Sequence, residues 1–129
     1  MIYKALFIPW DDMQPLAIVD YDDCASYPME AVVFPGDKAD HEVGWSNFVN
    51  AGTQLWFDDL GSYNQRPHVN VRAMKLYGYL SGRPATEFRQ NLYGDFVAIG
   101  LTHSGDVDHV PDRVKNFFAE ENIHLKSGD

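Results

Sequence analysis

The chain reads as an α+β domain: a mostly antiparallel or mixed sheet of about five strands with two main helices. Three observations carry that reading. Residues 68–100 (HVNVRAMKLYGYLSGRPATEFRQNLYGDFVAIG) contain one amphipathic helix period followed by a short apolar run between glycines. The first 60 residues hold several runs of strand formers separated by Pro, Gly and Asp turn signals. The order strand, strand, strand, strand, helix, strand, helix lacks the steady alternation of a doubly wound fold.

Ile2–Pro9 (IYKALFIP) is the first strand, and only Lys4 on it is charged, so both of its faces are expected to be covered. Trp10–Pro15 turns the chain, and Leu16–Asp20 is expected to form a hairpin with the first strand. Tyr21–Tyr27 suits a single helical turn ended by Pro28, and Met29–Phe34 (MEAVVF) reads as a third strand closed by Pro35-Gly36. Asp37–Glu42 reads as a solvated loop. Val43–Val49 is open between a short helix and a loop that pins Trp45 and Phe48 into the core. Thr53–Phe57 (TQLWF) is a fourth strand, ended by Asp58-Asp59-Leu60-Gly61.

Asn70 is a good N-cap, since its side-chain oxygen can accept from an amide of the first helical turn. Ala73, Leu76, Tyr77 and Leu80 then fall on one face, while Arg72, Lys75 and Tyr79 fall outside it and are read as solvated. Gly82 stands where a left-handed residue closes a helix, and Pro84 follows as a stop signal. Tyr93-Gly94-Asp95 turns into Phe96–Ile99, a run that suits a central strand. His103-Ser104-Gly105-Asp106 makes a turn. Pro111 opens a second helix with Val114, Phe117 and Phe118 as its apolar stripe, and Ile123 and Leu125 suit a closing edge strand.

At 129 residues the chain has the usual size of one domain, and its 45% hydrophobic and 14% aromatic content excludes a mainly disordered chain. No apolar run is long enough to span a bilayer, and the first residues resemble a strand more than a signal peptide, so a cytoplasmic protein without membrane contact is expected. The single cysteine, Cys24, leaves no internal disulfide framework, and its neighbours Asp22 and Asp23 disfavour a reactive thiolate. The net charge of −9 is one-sided. Residues 1–59 carry 11 acids against Lys4 and Lys38, whereas residues 60–129 carry eight of each sign. An acidic first half argues against direct nucleic-acid binding and fits a partner with a basic surface.

Catalytic motifs are missing: there is no G-x-S-x-G elbow, P-loop, H-E-x-x-H or G-x-G-x-x-G. The densest polar cluster is His103-Ser104-Gly105-Asp106-Val107-Asp108-His109, whose imidazoles and carboxylates are the residue types that hold zinc. Its spacing matches no calcium loop, and a turn into a Pro-led helix accounts for the same letters. The adjacent pairs Asp11-Asp12, Asp22-Asp23, Asp58-Asp59 and Glu120-Glu121 do not form converging dyads, because neighbours on a strand point to opposite faces. No cofactor is expected. An aromatic beside acids in a turn is instead a hot spot for a protein partner. Trp10, Asp11, Asp12, Asp58 and Asp59 are the candidate contact residues, with Trp45 and Trp56 read as core.

The segment order has a counterpart. A proline-ended strand (LFIP), LAIVD, MEAVVF, LWFDD, the helix start Asn70-Val71-Arg72-Ala73, GDFVAIG and the helix start Pro111-Asp112 together resemble the proteins grouped as domain of unknown function 3846. That family occurs in phages and mobile elements of actinobacteria and other bacteria. The resemblance spans nearly the whole chain, with NVRA and GDFVAIG as its most specific pieces. It implies a phage-type accessory protein of the bacterial cytoplasm and implies no activity. The leading expectation is therefore a non-enzymatic protein that binds a host or phage protein. The alternatives are a DNA mimic that blocks a nucleic-acid enzyme, and a small metal-dependent hydrolase using His103, Asp106, Asp108 and His109. A homo-oligomer formed through an unpaired sheet edge is a further expectation.

Overall fold

The computed structural model describes residues 1–25, 28–33, 45–58, 68–82, 92–120 and 125–126. They form an α+β fold around one mixed, largely antiparallel sheet. Its strands are β1 (Ile2–Ile8), β2 (Leu16–Asp22), β3 (Trp45–Asn50), β4 (Thr53–Asp58), β5 (Phe96–Leu101), β6 (Val107–Asp108) and β7 (Leu125–Lys126). The order across the sheet is β3-β4-β5-β1-β2-β7, with β6 paired to β5 beyond its centre. Only the short β2–β7 pairing is parallel. The helices are α1 (Pro28–Val33), α2 (Val71–Ser81) and α3 (Asp112–Glu120).

The sheet is built from hairpins. β1 and β2 pair from Ile2↔Asp22 to Phe7↔Ala17, as the sequence predicts. β3 and β4 pair through a two-residue turn, Ala51-Gly52, in which both residues have positive φ, 52° and 72°. That conformation matches the twist of a hairpin, and glycine enters it freely whereas alanine is strained there. Phe96 to Ile99 run through the middle of the sheet with no exposed surface at all, the expected central strand.

Alternation along the strands makes two cores. Leu6, Ile8, Leu16, Leu55, Phe96 and Ala98 face α2 and α3, meeting Ala73, Leu76 and Leu80 from the first and Val114 and Phe118 from the second. The opposite residues, Ala5, Tyr21, Val97 and Ile99, pack with Met29 of α1, and Tyr3, Val19, Trp45 and Trp56 lean on them. Both faces of β1 are thus covered, and Trp45 and Trp56 are core-facing as expected.

Four expectations are corrected. Met29–Phe34, read as a strand for its β-branched run, begins with the helix α1, because the second face of the sheet is roofed there and not extended. Trp45 lies in a strand, β3, neither in a helix nor in a loop. The helical turn expected over Tyr21–Tyr27 is absent at its start, since β2 runs on to Asp22. Arg72 is not solvated but 8% exposed. The segments expected at Asp37–Glu42 and the end of the strand at Phe34 lie outside the described residues. No described helix is long and apolar enough to cross a membrane.

One close approach decides a residue type. A Cβ built on Gly100 would stand 2.2 Å from the main-chain oxygen of His109, where the chain returning from β6 crosses β5. His109 is fixed in turn by β1: its Nδ1 accepts the Lys4 N–H at 2.9 Å, and Val110 N–H donates to the Lys4 carbonyl at 2.8 Å. Gly100→Ala therefore forces main chain apart and should lower stability by about 1–3 kcal/mol, the usual range for overpacking. Urea unfolding would read this as a lower midpoint at an unchanged slope.

A rigid aromatic and acidic tip as the candidate functional site

The end of the sheet where β1 leaves and β5 enters gathers most of the candidate contact residues. Ile8, Phe96 and Phe57 lie in one row across β1, β5 and β4. One step beyond that row stand Pro9, Asp95 and Asp58, and the β1–β2 loop carries Trp10, Asp11 and Asp12 past them. Asp11 and Asp12 thus share one end of the molecule with Asp58, although Asp12 and Asp58 stand 46 positions apart in the chain. Asp59 lies outside the described residues.

The tip is held by the start of α2. Asn70 is fully buried and satisfied on every side. Its Oδ1 accepts from Ala73 N–H at 2.9 Å as the N-cap, and its Nδ2 donates to the Ile8 and Gly94 carbonyls, both at 2.9 Å. Its own N–H donates to the Leu92 carbonyl at 2.7 Å. One side chain therefore caps a helix and ties it to the ends of β1 and the turn before β5. At the other end of α2, Gly82 takes the left-handed conformation expected of it, with φ 74°.

Two residues on, Arg72 reaches over the β1–β2 loop. Its guanidinium donates to the carbonyls of Pro9 at 2.6 Å, Asp11 at 2.8 Å and Gln14 at 2.8 Å. Burial lowers its pKa from the ordinary arginine value, while the charges of Asp12, Asp11 and Asp95 oppose that shift. The loop closes itself further, with Gln14 N–H on the Asp11 carbonyl at 3.0 Å and Met13 N–H on the Asp11 carboxylate at 2.9 Å. A positively charged residue in the first turn stands against the helix dipole, which favours acids there. That mismatch is the sequence signal by which Arg72 could have been recognised as an anchor.

On this frame Trp10 is displayed. Its main-chain N–H donates to Asp95 Oδ1 at 2.9 Å, and its indole lies flat on the His68 imidazole, centroids 3.8 Å apart and planes 9° from parallel. It remains 39% exposed. His68 and Asp95 are the two members of this tip that sequence reasoning missed, because each becomes its neighbour only through the sheet. Trp10 is thus an aromatic with a fixed orientation, carried beside carboxylates.

The His103–His109 cluster is arranged otherwise. Thr102–Asp106 forms a tight turn: Thr102 N–H donates to the Asp106 carbonyl at 2.7 Å, Asp106 N–H to Thr102 Oγ1 at 3.0 Å, and Ser104 Oγ to the Asp106 carboxylate at 3.2 Å. His109 Nδ1 is engaged by Lys4 and its ring packs near Tyr3, 5.4 Å between centroids. His103, Asp106, Asp108 and His109 are not brought into one ligand set. Among the described residues, the side chains that come within 4.8 Å of one another as a group of three are those of Asp22, Asp23 and Cys24, all exposed. The Met1 amine lies on that group, 3.0 Å from Asp23 and 3.3 Å from Cys24 Sγ.

The described acids on the strands and in the turns beside them fall at two ends of the sheet, while Glu30, Asp112 and Glu120 stand on helices. Asp11, Asp12, Asp58 and Asp95 mark the Trp10 end, and Asp20, Asp22, Asp23, Asp106 and Asp108 mark the Met1 end, about 20 Å away along seven-residue strands. No family model, curated protein or solved structure matches this chain.

Two substitutions test how the tip is held. An ordinary N-cap tolerates aspartate as well as asparagine. Asn70→Asp keeps the capping oxygen but turns a second oxygen toward the Ile8 and Gly94 carbonyls, so it should cost more than the roughly 1 kcal/mol of a lost cap. Equal stability of the wild type and this variant in urea would remove the clamp role. Arg72→Met preserves the apolar stem and deletes three charge-assisted bonds, for an expected loss of about 2–4 kcal/mol. Faster amide exchange confined to residues 10–14 would report the loop coming loose.

Proposed function

We propose that this is a non-enzymatic, phage-type accessory protein that acts in the bacterial cytoplasm by binding a host or phage protein. Its contact region is the tip formed by Trp10, Asp11, Asp12 and Asp58, with Asp59 next to it in the chain. The observation that carries this reading is the stacking of the half-exposed Trp10 on His68 within a loop pinned by Arg72. An aromatic already fixed in one rotamer loses little side-chain freedom on association, and such residues dominate binding energy in protein interfaces. Carboxylates around it favour a basic partner, steering the encounter and restricting which surfaces fit.

The phage-type and cytoplasmic parts of the proposal rest on the family-like order of segments. The protein-binding part rests on the tip. The scatter of the described acids over two ends of the sheet and the helices α1 and α3 supports a local contact over a DNA mimic, which needs carboxylates spaced like phosphates along one continuous face.

The test is affinity capture of the partner from host lysate, followed by titration with the purified partner. Trp10→Ala should weaken binding by about 2 kcal/mol, about thirty-fold in Kd. Reversing charge at Asp58 and Asp59 to lysine should release the partner and flatten the decline of affinity with added salt. A partner that binds wild type and both variants alike would end the assignment to this tip.

A further inference from the structure

The two edges of the sheet are finished differently. On one side β2 carries the exposed carboxylates of Asp20 and Asp22, and β7 pairs over its start at Leu16 and Ala17. Charges on an edge and a covering strand are the devices by which sheets avoid further pairing. On the other side stands β3, Trp45–Asn50, and among the described residues no strand pairs with its outer edge. Its sequence, WSNFVN, has no charge and no proline, in a chain of net charge −9.

The hairpin fixes which groups the open edge presents. Asn50 and Thr53 flank a two-residue turn and form a hydrogen-bonded pair, so Asn50, Phe48 and Ser46 direct their main-chain groups to β4. Val49, Asn47 and Trp45 direct theirs outward. Val49 is 59% exposed at the same edge. A row of stacked phenyl rings also reaches this strand: Phe96 on Phe57 at 5.2 Å and 12°, then Phe57 on Phe48 at 5.0 Å and 16°, with Phe48 also meeting Tyr77 of α2 at 4.7 Å.

We infer that β3 pairs antiparallel with β3 of a second copy of this chain, about a two-fold axis beside Phe48, joining the two sheets into one. The strand is self-complementary in that register. Asn47 and Val49 of each copy exchange main-chain bonds with Val49 and Asn47 of the other, and the two Phe48 side chains face each other as a close, non-hydrogen-bonded pair. The phenyl row then continues from one sheet into the next. A two-fold contact requires that residue i meet j and j meet i, which this register satisfies. The neutrality of the strand is what selects a second copy. Two chains of charge −9 repel, and they meet at low cost only along a segment that carries none of that charge. The inference is independent of the Trp10 tip, which lies at the end of the strands and not along this edge.

The test is the mass in solution of the full chain, by light scattering over about a hundredfold range of concentration. The expected result is a species of twice 14.7 kDa. It should become monomeric in Val49→Lys, which places a charge on the exposed edge, and in Asn47→Pro, which deletes an outward N–H and tolerates an edge position. Both variants should keep the far-ultraviolet circular dichroism of wild type, since Val49 is exposed and the Asn47 N–H points away from β4. A wild type that is monomeric throughout, or a dimer retained by either variant, would overturn the inference.

Discussion

The fold depends on a single buried amide. Asn70 bonds the first turn of α2, the last carbonyl of β1 and the turn into β5 at once, and no surface of it is left to water. A buried polar group that lacks partners costs more than a bonded one contributes, so its four satisfied contacts admit one arrangement of helix and strands and penalise the others. Arg72 acts from the same turn on the loop beyond β1. Together the two residues set where α2 begins, how it lies on the sheet and what shape the Trp10 loop takes.

The elements that were legible in the sequence are those whose signals are local. The cap at Asn70, the left-handed Gly82, the apolar stripe of α2 and the glycine-bounded central strand each follow from a few adjacent letters, and each stands where expected. MEAVVF misleads for a physical reason: six residues are too few to separate a strand from a buried helical turn, and the need to cover Ala5, Val97 and Ile99 decides between them. WSNFVN misleads in the opposite sense. As an edge strand it packs only in part, so polar residues interrupt its alternation. Its equal length to TQLWFD across Ala51-Gly52 was the hairpin signal that remained.

Of the candidate site, the loop aromatic and its acids were legible, since their placement in a turn exposes them. Their convergence was not. Asp58 joins Asp11 because β4 is next but one to β1, and His68 meets Trp10 because α2 starts beside the end of β1. Such neighbourhoods are set by strand order, which has no local spelling. The His103–His109 cluster shows the converse, in that proximity in sequence brought metal-binding residue types together while the turn directed them to separate partners.

Arg72 holds the Trp10 loop by three main-chain carbonyls, with the charges of Asp12 and Asp11 favouring its charged form. Every residue type has such a carbonyl. The three bonds therefore do not depend on which side chains stand at positions 13 and 14, and Met13 and Gln14 can be exchanged without removing any of them. The grip on the main chain and the outward side chains at positions 13 and 14 are separate parts of the same loop. A lineage carrying this scaffold, or an engineer borrowing it, can change what the tip binds and leave the frame beneath it as it is.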